Sequence, residues 1–260
     1  MRATGPESPG PDGPAAGSPA GRGAVAAPAL AARPAEESDP AAPPYAAMIA
    51  QLAVLGRKAV GAGLVQGSGG NLSARPPGGP AAVVTATGTW LDELTPADFS
   101  VVRIADGAVL GGHPAPSVEL LLHLACYRVR PDVNAVVHLH PQLSVLLAAL
   151  GHPIRLITTD HVYYVREVRV APYRHSGTSE LATEAAALLA DGRCNCVVLS
   201  HHGCSVVADT VELAHKRAVN LEEAALASYR ALLLGDTGTV CPPQYRARLD
   251  AVADSPHGGP

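Results

Sequence analysis

Apolar residues at Ile49, Leu52, Ala53, Leu55 and Val60 recur at the spacing of one helix face. The pattern predicts an amphipathic helix that begins near Tyr45 and stops at Gly61 to Gly63. Beyond it the period shortens. Residues 71–74 and 81–87, the second rich in Val and Thr, read as strands separated by a turn through Pro76 to Pro80. Thr95, Pro96, Ala97 and Asp98 have the form of a helix start, and residues 101–104 and 108–110 flank Asp106-Gly107, a pair suited to a tight hairpin. Ser117 is placed to cap a helix through Val129, which must end before Pro131. Strands follow at 135–140, 167–171, 196–199 and 204–207, with helices at 144–150, 179–189 and 210–234, the last closed by Gly235. Strands joined both by hairpins and by helices predict an α/β fold whose sheet is mixed and largely antiparallel, rather than a regular βαβ series.

Composition changes the picture at the N-terminus. Ten of the 24 prolines fall within the first 44 residues, among Gly, Ala and Ser. Such a stretch buries too little apolar surface to offset the entropy of ordering it, so residues 1–42 are expected to be disordered. An ordered domain is expected over 43–250 and a flexible C-terminus over 251–260. Residues 24–32 are weakly apolar, but Pro28 and the alanine content make a poor export signal. No stretch reaches the ~18–20 apolar residues needed to span a bilayer.

The net charge of −4 comes with scattered basic residues, which points away from nucleic acid and anionic membranes. A small molecule or a second copy of the chain is the expected partner. Five cysteines without a C-x-x-C pair are read as reduced thiols of a cytoplasmic protein. Lys58 and Lys216 are the only lysines, and both fall in helix-like segments, so few routes to a Schiff base exist.

The strongest chemical signal is His138-Leu139-His140 at the end of a strand. Alternation puts both imidazoles on one side, where they can share a metal ion, although ordinary strand histidines also fit the pair alone. Pro141, which cannot donate to a ladder, fits a strand end opening into a cleft. Catalytic zinc needs a third protein ligand and one open position. Ser200-His201-His202-Gly203 offers two histidines; adjacent residues face opposite ways, and spacing does not choose between them. Glu119 lies in the first turn expected after Ser117, where a carboxylate either complements the helix dipole or, beside a metal, acts as a general base. Gly67, Ser68, Gly69, Gly70 and Asn71, with Thr85, Thr87, Gly88 and Thr89, supply backbone N–H groups and hydroxyls suited to phosphate. Neither a P-loop lysine nor a following helix accompanies them.

In order, the segments GSGGNLS (67–73), TATGT (85–89), PSVE (116–119), RPDVNAVVHLH (130–140) and SHHG (200–203) resemble the class II aldolase/adducin superfamily, most closely its L-fuculose-1-phosphate aldolase branch. The resemblance implies a three-layer α/β/α sandwich around a central, mainly antiparallel sheet. It also implies Zn2+ (with Mn2+ or Co2+ as substitutes) held by His138, His140 and His202, with Glu119 as the catalytic carboxylate. Gly70, Asn71, Thr87, Gly88 and Ser117 match positions that bind substrate phosphate. A homotetramer with sites at subunit boundaries is implied, together with cleavage of a ketose 1-phosphate to dihydroxyacetone phosphate and an aldehyde.

Two departures stand out. Val118 replaces a second serine beside the glutamate, and no tyrosine aligns cleanly with the one contributed by a neighbouring subunit, which leaves Asp160, His161 and Tyr163 as candidates for the second acid. Sugar-phosphate 4-epimerases and dehydratases of the same superfamily share the metal site, and adducin-like domains use the fold for association without catalysis.

Overall fold

The computed structural model describes residues 39–253. The segment expected to lack structure at the N-terminus and the end of the C-terminal segment lie largely outside these residues. Eight strands form one sheet: β1 (Asn71–Ala74), β2 (Ala81–Thr85), β3 (Phe99–Arg103), β4 (Val109–Gly112), β5 (Ala135–Leu139), β6 (Val168–Ala171), β7 (Cys196–Leu199) and β8 (Gly203–Ala208). Their order is β4-β3-β2-β1-β5-β8-β7-β6. All neighbours run antiparallel except β6 and β7, whose parallel pairing is made possible by the helical crossover between them.

Among the described residues six α-helices accompany the sheet: α1 (Tyr45–Gly61), α2 (Leu120–Val129), α3 (Gln142–Ala149), α4 (Ser179–Leu189), α5 (Val211–Leu233) and α6 (Pro243–Ala253). Alternation along the strands sorts their side chains into two cores. Val83, Val101, Val137, Val198 and Val206 pack with Leu52 of α1 and Leu221 of α5. Val84, Val102, Val136, Val197 and Val207 pack on the other face with Leu124 of α2 and Leu189 of α4. Helix, sheet and helix thus form three layers, as expected, and the short central strands are buried on both faces.

The boundaries differ from the sequence reading in physically informative ways. The strand expected over 81–87 ends at Thr85, and Ala86 makes only an isolated bridge to Pro116. The helix start at Thr95 is a single 3-10 turn, Pro96–Asp98, closed by reciprocal bonds between Thr95 and Asp98. Helix α2 begins at Leu120; Glu119 is its N-cap, with φ −98° and ψ 19°, rather than part of its first turn. The hydroxyl of Ser117 instead accepts from the Glu119 N–H at 3.2 Å, a local turn that competes with helix. A π-helical turn at His161–Val165 and helix α6 have no counterpart in the expected elements.

Candidate functional site

The site lies where β5, β1 and the β7–β8 hairpin end together beside the start of α2. His138 in β5 is opposite Asn71 of β1 on one side and Ser205 of β8 on the other. His140 lies one residue past the strand on the same face, its N–H donated to the Leu64 carbonyl. The β7–β8 connection is Ser200-His201-His202, and His201 adopts the left-handed conformation, φ 61°. That step resolves the choice left open by sequence. His201 is carried outward into solvent near Tyr173, while His202 turns inward to the other two imidazoles.

Ring centroids of His138, His140 and His202 are 4.8 to 5.2 Å apart. Nε2 of His138 is 3.0 Å from Nε2 of His140 and 3.0 Å from Oε2 of Glu119; Nε2 of His202 is 3.3 Å from Oε1 of the same carboxylate. One donor atom from each of the four residues lies within 4.8 Å of the others. Gly203 makes this crowding possible: a Cβ there would be 2.7 Å from His140 Cδ2 and 3.0 Å from His138 Cε1. Three nitrogens and a carboxylate oxygen form the borderline-soft donor set that suits zinc and neighbouring divalent ions, so the residues fit such a cation.

Electrostatics agree with that fit. Burial and the neighbouring imidazoles lower His140 to about 4 and also depress His202, so both are neutral and carry free lone pairs at pH 7. For Glu119, burial works against the charged form, but hydrogen bonding and charge from His138, and the hydrogen bond from Asn71, outweigh it and hold the carboxyl well below its ordinary range. Glu119 is therefore a carboxylate, able to take a proton.

A pocket of about 200 Å³ opens above the cluster. Glu119, His140 and His202 line it together with Gly70, Thr87, Gly88 and Ser117. Gly70 (φ 77°) and Gly88 (φ 73°) use backbone conformations that favour glycine and bring the main chain to the pocket wall. Asn71 also borders it, but its side-chain amide is committed elsewhere: Nδ2 donates to Glu119 Oε2 at 2.9 Å, and Oδ1 faces His123 Nε2 at 2.5 Å. Among the described residues no lysine lines the pocket; Lys216 pairs with Glu212 on α5.

The residues considered for the second acid lie elsewhere in the chain. Asp160 precedes the π-helical turn, His161 is 4% exposed and accepts the N–H groups of Ile157 and Thr158 on Nδ1, and Tyr163 is exposed. None lines this pocket within the same chain. Two residues tied to Glu119, one directly and one through Asn71, escaped the sequence reading. Ser176, from the loop between β6 and α4, donates to Glu119 Oε1 at 2.9 Å, and nothing local marked it. His123 stands four residues after Glu119, a spacing that shares a helix face and offered a usable clue.

The sequence profile of the Class II Aldolase and Adducin N-terminal domain matches residues 50–229. The chain belongs to this family. It is 31% identical over 186 residues to a 5-deoxy-D-ribulose 1-phosphate aldolase of Bacillus thuringiensis serovar kurstaki, covering 72% of this chain and 86% of the relative. It is 37% identical over 179 residues to a 3-oxo-tetronate 4-phosphate decarboxylase of Escherichia coli, covering 67% and 81%. Among solved structures, an L-fuculose 1-phosphate aldolase superimposes with a TM-score of 0.72 at 28% identity, covering 80% of this chain and 96% of that one. This class II aldolase family member thus shares its fold with enzymes named for sugar phosphates, and no helix among its described residues is long and apolar enough to cross a membrane.

Proposed function

We propose that this protein is a metal-dependent aldehyde-lyase that reversibly cleaves a ketose 1-phosphate of the fuculose, ribulose or 5-deoxyribulose kind to dihydroxyacetone phosphate and an aldehyde. One observation carries the reading: three imidazoles and a carboxylate converge beside a small pocket that glycine backbone and hydroxyls also line. His138, His140 and His202 hold the cation, zinc in the first instance and manganese or cobalt as substitutes. Bound there, it supplies Lewis-acid stabilisation of negative charge developing on a substrate oxygen.

The chain's own residues do the rest. Gly70, Thr87, Gly88 and Ser117 seat the phosphate, with Asn71 contributing through its backbone since its side chain is engaged. That fixes the reacting carbon beside Glu119 and supplies orientation. In the synthetic direction the Glu119 carboxylate removes a proton from the carbon next to the carbonyl of dihydroxyacetone phosphate. The electron pair released forms the new carbon–carbon bond to the aldehyde, whose oxygen gains a proton. Cleavage reverses these steps. Asp160 or Tyr163, presented by a neighbouring subunit of a homotetramer, serves that oxygen; His161, with Nδ1 already engaged, is the weaker candidate. The setting is the cytoplasm.

Incubation of the zinc-loaded protein with ribulose-, fuculose- and 5-deoxyribulose-1-phosphates, with product analysis, tests the reading. Dihydroxyacetone phosphate is the expected product, and Glu119→Ala is expected to abolish its release while metal is retained. An epimerised ketose, loss of water, or carbon dioxide from a 3-oxo acid phosphate would reassign the outcome to the epimerase, dehydratase or decarboxylase chemistry of relatives. Failure to bind stoichiometric metal would favour a non-catalytic, adducin-like role.

A further inference from the structure

A line of buried polar side chains runs from the interior to Glu119. Tyr127 OH is 2.7 Å from Ser73 Oγ, which is 2.7 Å from His123 Nδ1. His123 Nε2 is 2.5 Å from Asn71 Oδ1, and Asn71 Nδ2 is 2.9 Å from Glu119 Oε2. Ser73 and His123 are fully buried and Tyr127 is 2% exposed, so water does not compete for these groups. Elementary bonding rules fix the direction of every bond. A carboxylate only accepts, so Asn71 must present its NH2 to Glu119 and its carbonyl to His123. That carbonyl only accepts, so His123 must carry its proton on Nε2. Nδ1 is then an acceptor, Ser73 must donate to it, and Tyr127 must donate to Ser73. Burial keeps His123 neutral, lowering it to about 3, so the ring does not leave this arrangement at physiological pH.

The two oxygens of Glu119 are held differently. Oε2 takes Asn71 Nδ2 and His138 Nε2; Oε1 takes Ser176 Oγ and His202 Nε2. Imidazoles whose Nε2 lone pairs face a cation cannot also donate to Glu119, so Asn71 and Ser176 are the donors that persist. Asn71 is locked from behind by three buried groups. Ser176, by contrast, is exposed on a loop that lines the pocket.

We propose that the buried line Tyr127–Ser73–His123–Asn71 is a positioning device that clamps Oε2 of Glu119 and leaves Oε1, beside Ser176, as the oxygen that takes and returns the proton. The assignment rests on the catalytic role proposed for Glu119. His123 and Asn71 act through Glu119 and are positioning residues.

The decisive comparison is between His123→Leu and His123→Gln in the zinc-loaded protein. Leucine removes the donor that fixes the Asn71 amide, so kcat is expected to fall on the order of 10–100-fold, with KM within about 3-fold and zinc stoichiometry unchanged. Glutamine can place an N–H where Nε2 stands and is expected to restore kcat to within about 5-fold of the parent. Equal impairment of both, or no impairment by leucine, overturns the proposal. Nitrogen-15 spectra of the histidines in the metal-stripped parent give a readout independent of turnover. His123 must show a protonated Nε2 and a bare Nδ1 from pH 5 to 8, and the opposite tautomer sinks the clamp even if the enzyme is active. A parent that shows this tautomer but no lyase activity refutes the proposed reaction instead. Should the leucine variant not fold, Ser73→Ala removes only the donor to Nδ1; the Asn71 carbonyl still holds the proton on Nε2, a several-fold lower kcat is expected from the loosened ring, and an unchanged rate overturns the idea.

Discussion

Glu119 and Gly203 show how individual atoms constrain this site. The Glu119 carboxyl is ionised despite burial because its oxygens are saturated with donors. Glu119→Gln preserves shape while removing the proton acceptor, so kcat should fall by roughly 10²–10⁴-fold, the usual scale for a positioned acid–base group, with metal content unchanged. Measurement of kcat alongside bound zinc checks this. Gly203 has an ordinary φ and is required for space alone, since a methyl group would also approach the Leu139 carbonyl to 2.5 Å. Gly203→Ala should therefore spread the imidazoles and weaken zinc by at least about 10-fold in chelator competition while the protein remains folded. An unchanged affinity would show that the hairpin yields without disturbing its histidines. The same hairpin marks a limit of sequence reading: whether His201 or His202 enters the cluster depends on the left-handed φ of His201, and neither spacing nor composition encodes that angle.

At the level of elements, strand β5 was the most legible part of the molecule. A period of two placed His138 and His140 on one side, and their Nε2 atoms lie 3.0 Å apart. Leu139, between them, points into the opposite core and is fully buried. Leu139→Ala should cost roughly 2–5 kcal/mol of stability, read from chemical denaturation, because the cavity lies against three strands that cannot collapse into it. Helix α2 was less legible. Ser117 looked like its cap, but the hydroxyl makes a turn with Glu119 and delays the helix by two residues, which is what leaves Glu119 non-helical at the pocket. Ser176 was illegible for a different reason: it is 57 residues from Glu119, and the loop carrying it turns at Gly177, with φ 76°, where a Cβ would come within 3.0 Å of the Val118 carbonyl oxygen.

Across the whole molecule, the titrating groups of the site pull stability in one direction. His140 at about 4, His123 at about 3 and the depressed His202 all lie below the ordinary histidine value of 6.5. Between those values and 6.5 the unfolded chain binds more protons than the folded one, so stability falls as pH drops. Glu119, also depressed, adds to the loss below its ordinary value of 4.5. The metal-stripped protein should thus melt at progressively lower temperature from pH 6.5 to 4, by scanning calorimetry, and a flat profile would contradict the buried neutral histidines. The three-layer arrangement was foreseeable from alternating strands and amphipathic helices; the strand order was not, because pairings such as β1 with β5 join segments separated by three strands and helix α2.

That order has a consequence for how the protein matures. His138 and Ser205, 67 residues apart, become neighbours only once β8 has slotted between β5 and β7. Closing so long a loop is slow compared with local helix formation. A nascent or refolding chain therefore gains its helices before it can grip a cation, and recovery of zinc uptake after dilution from denaturant should trail recovery of helical signal, serving as a chemical clock for completion of the sheet.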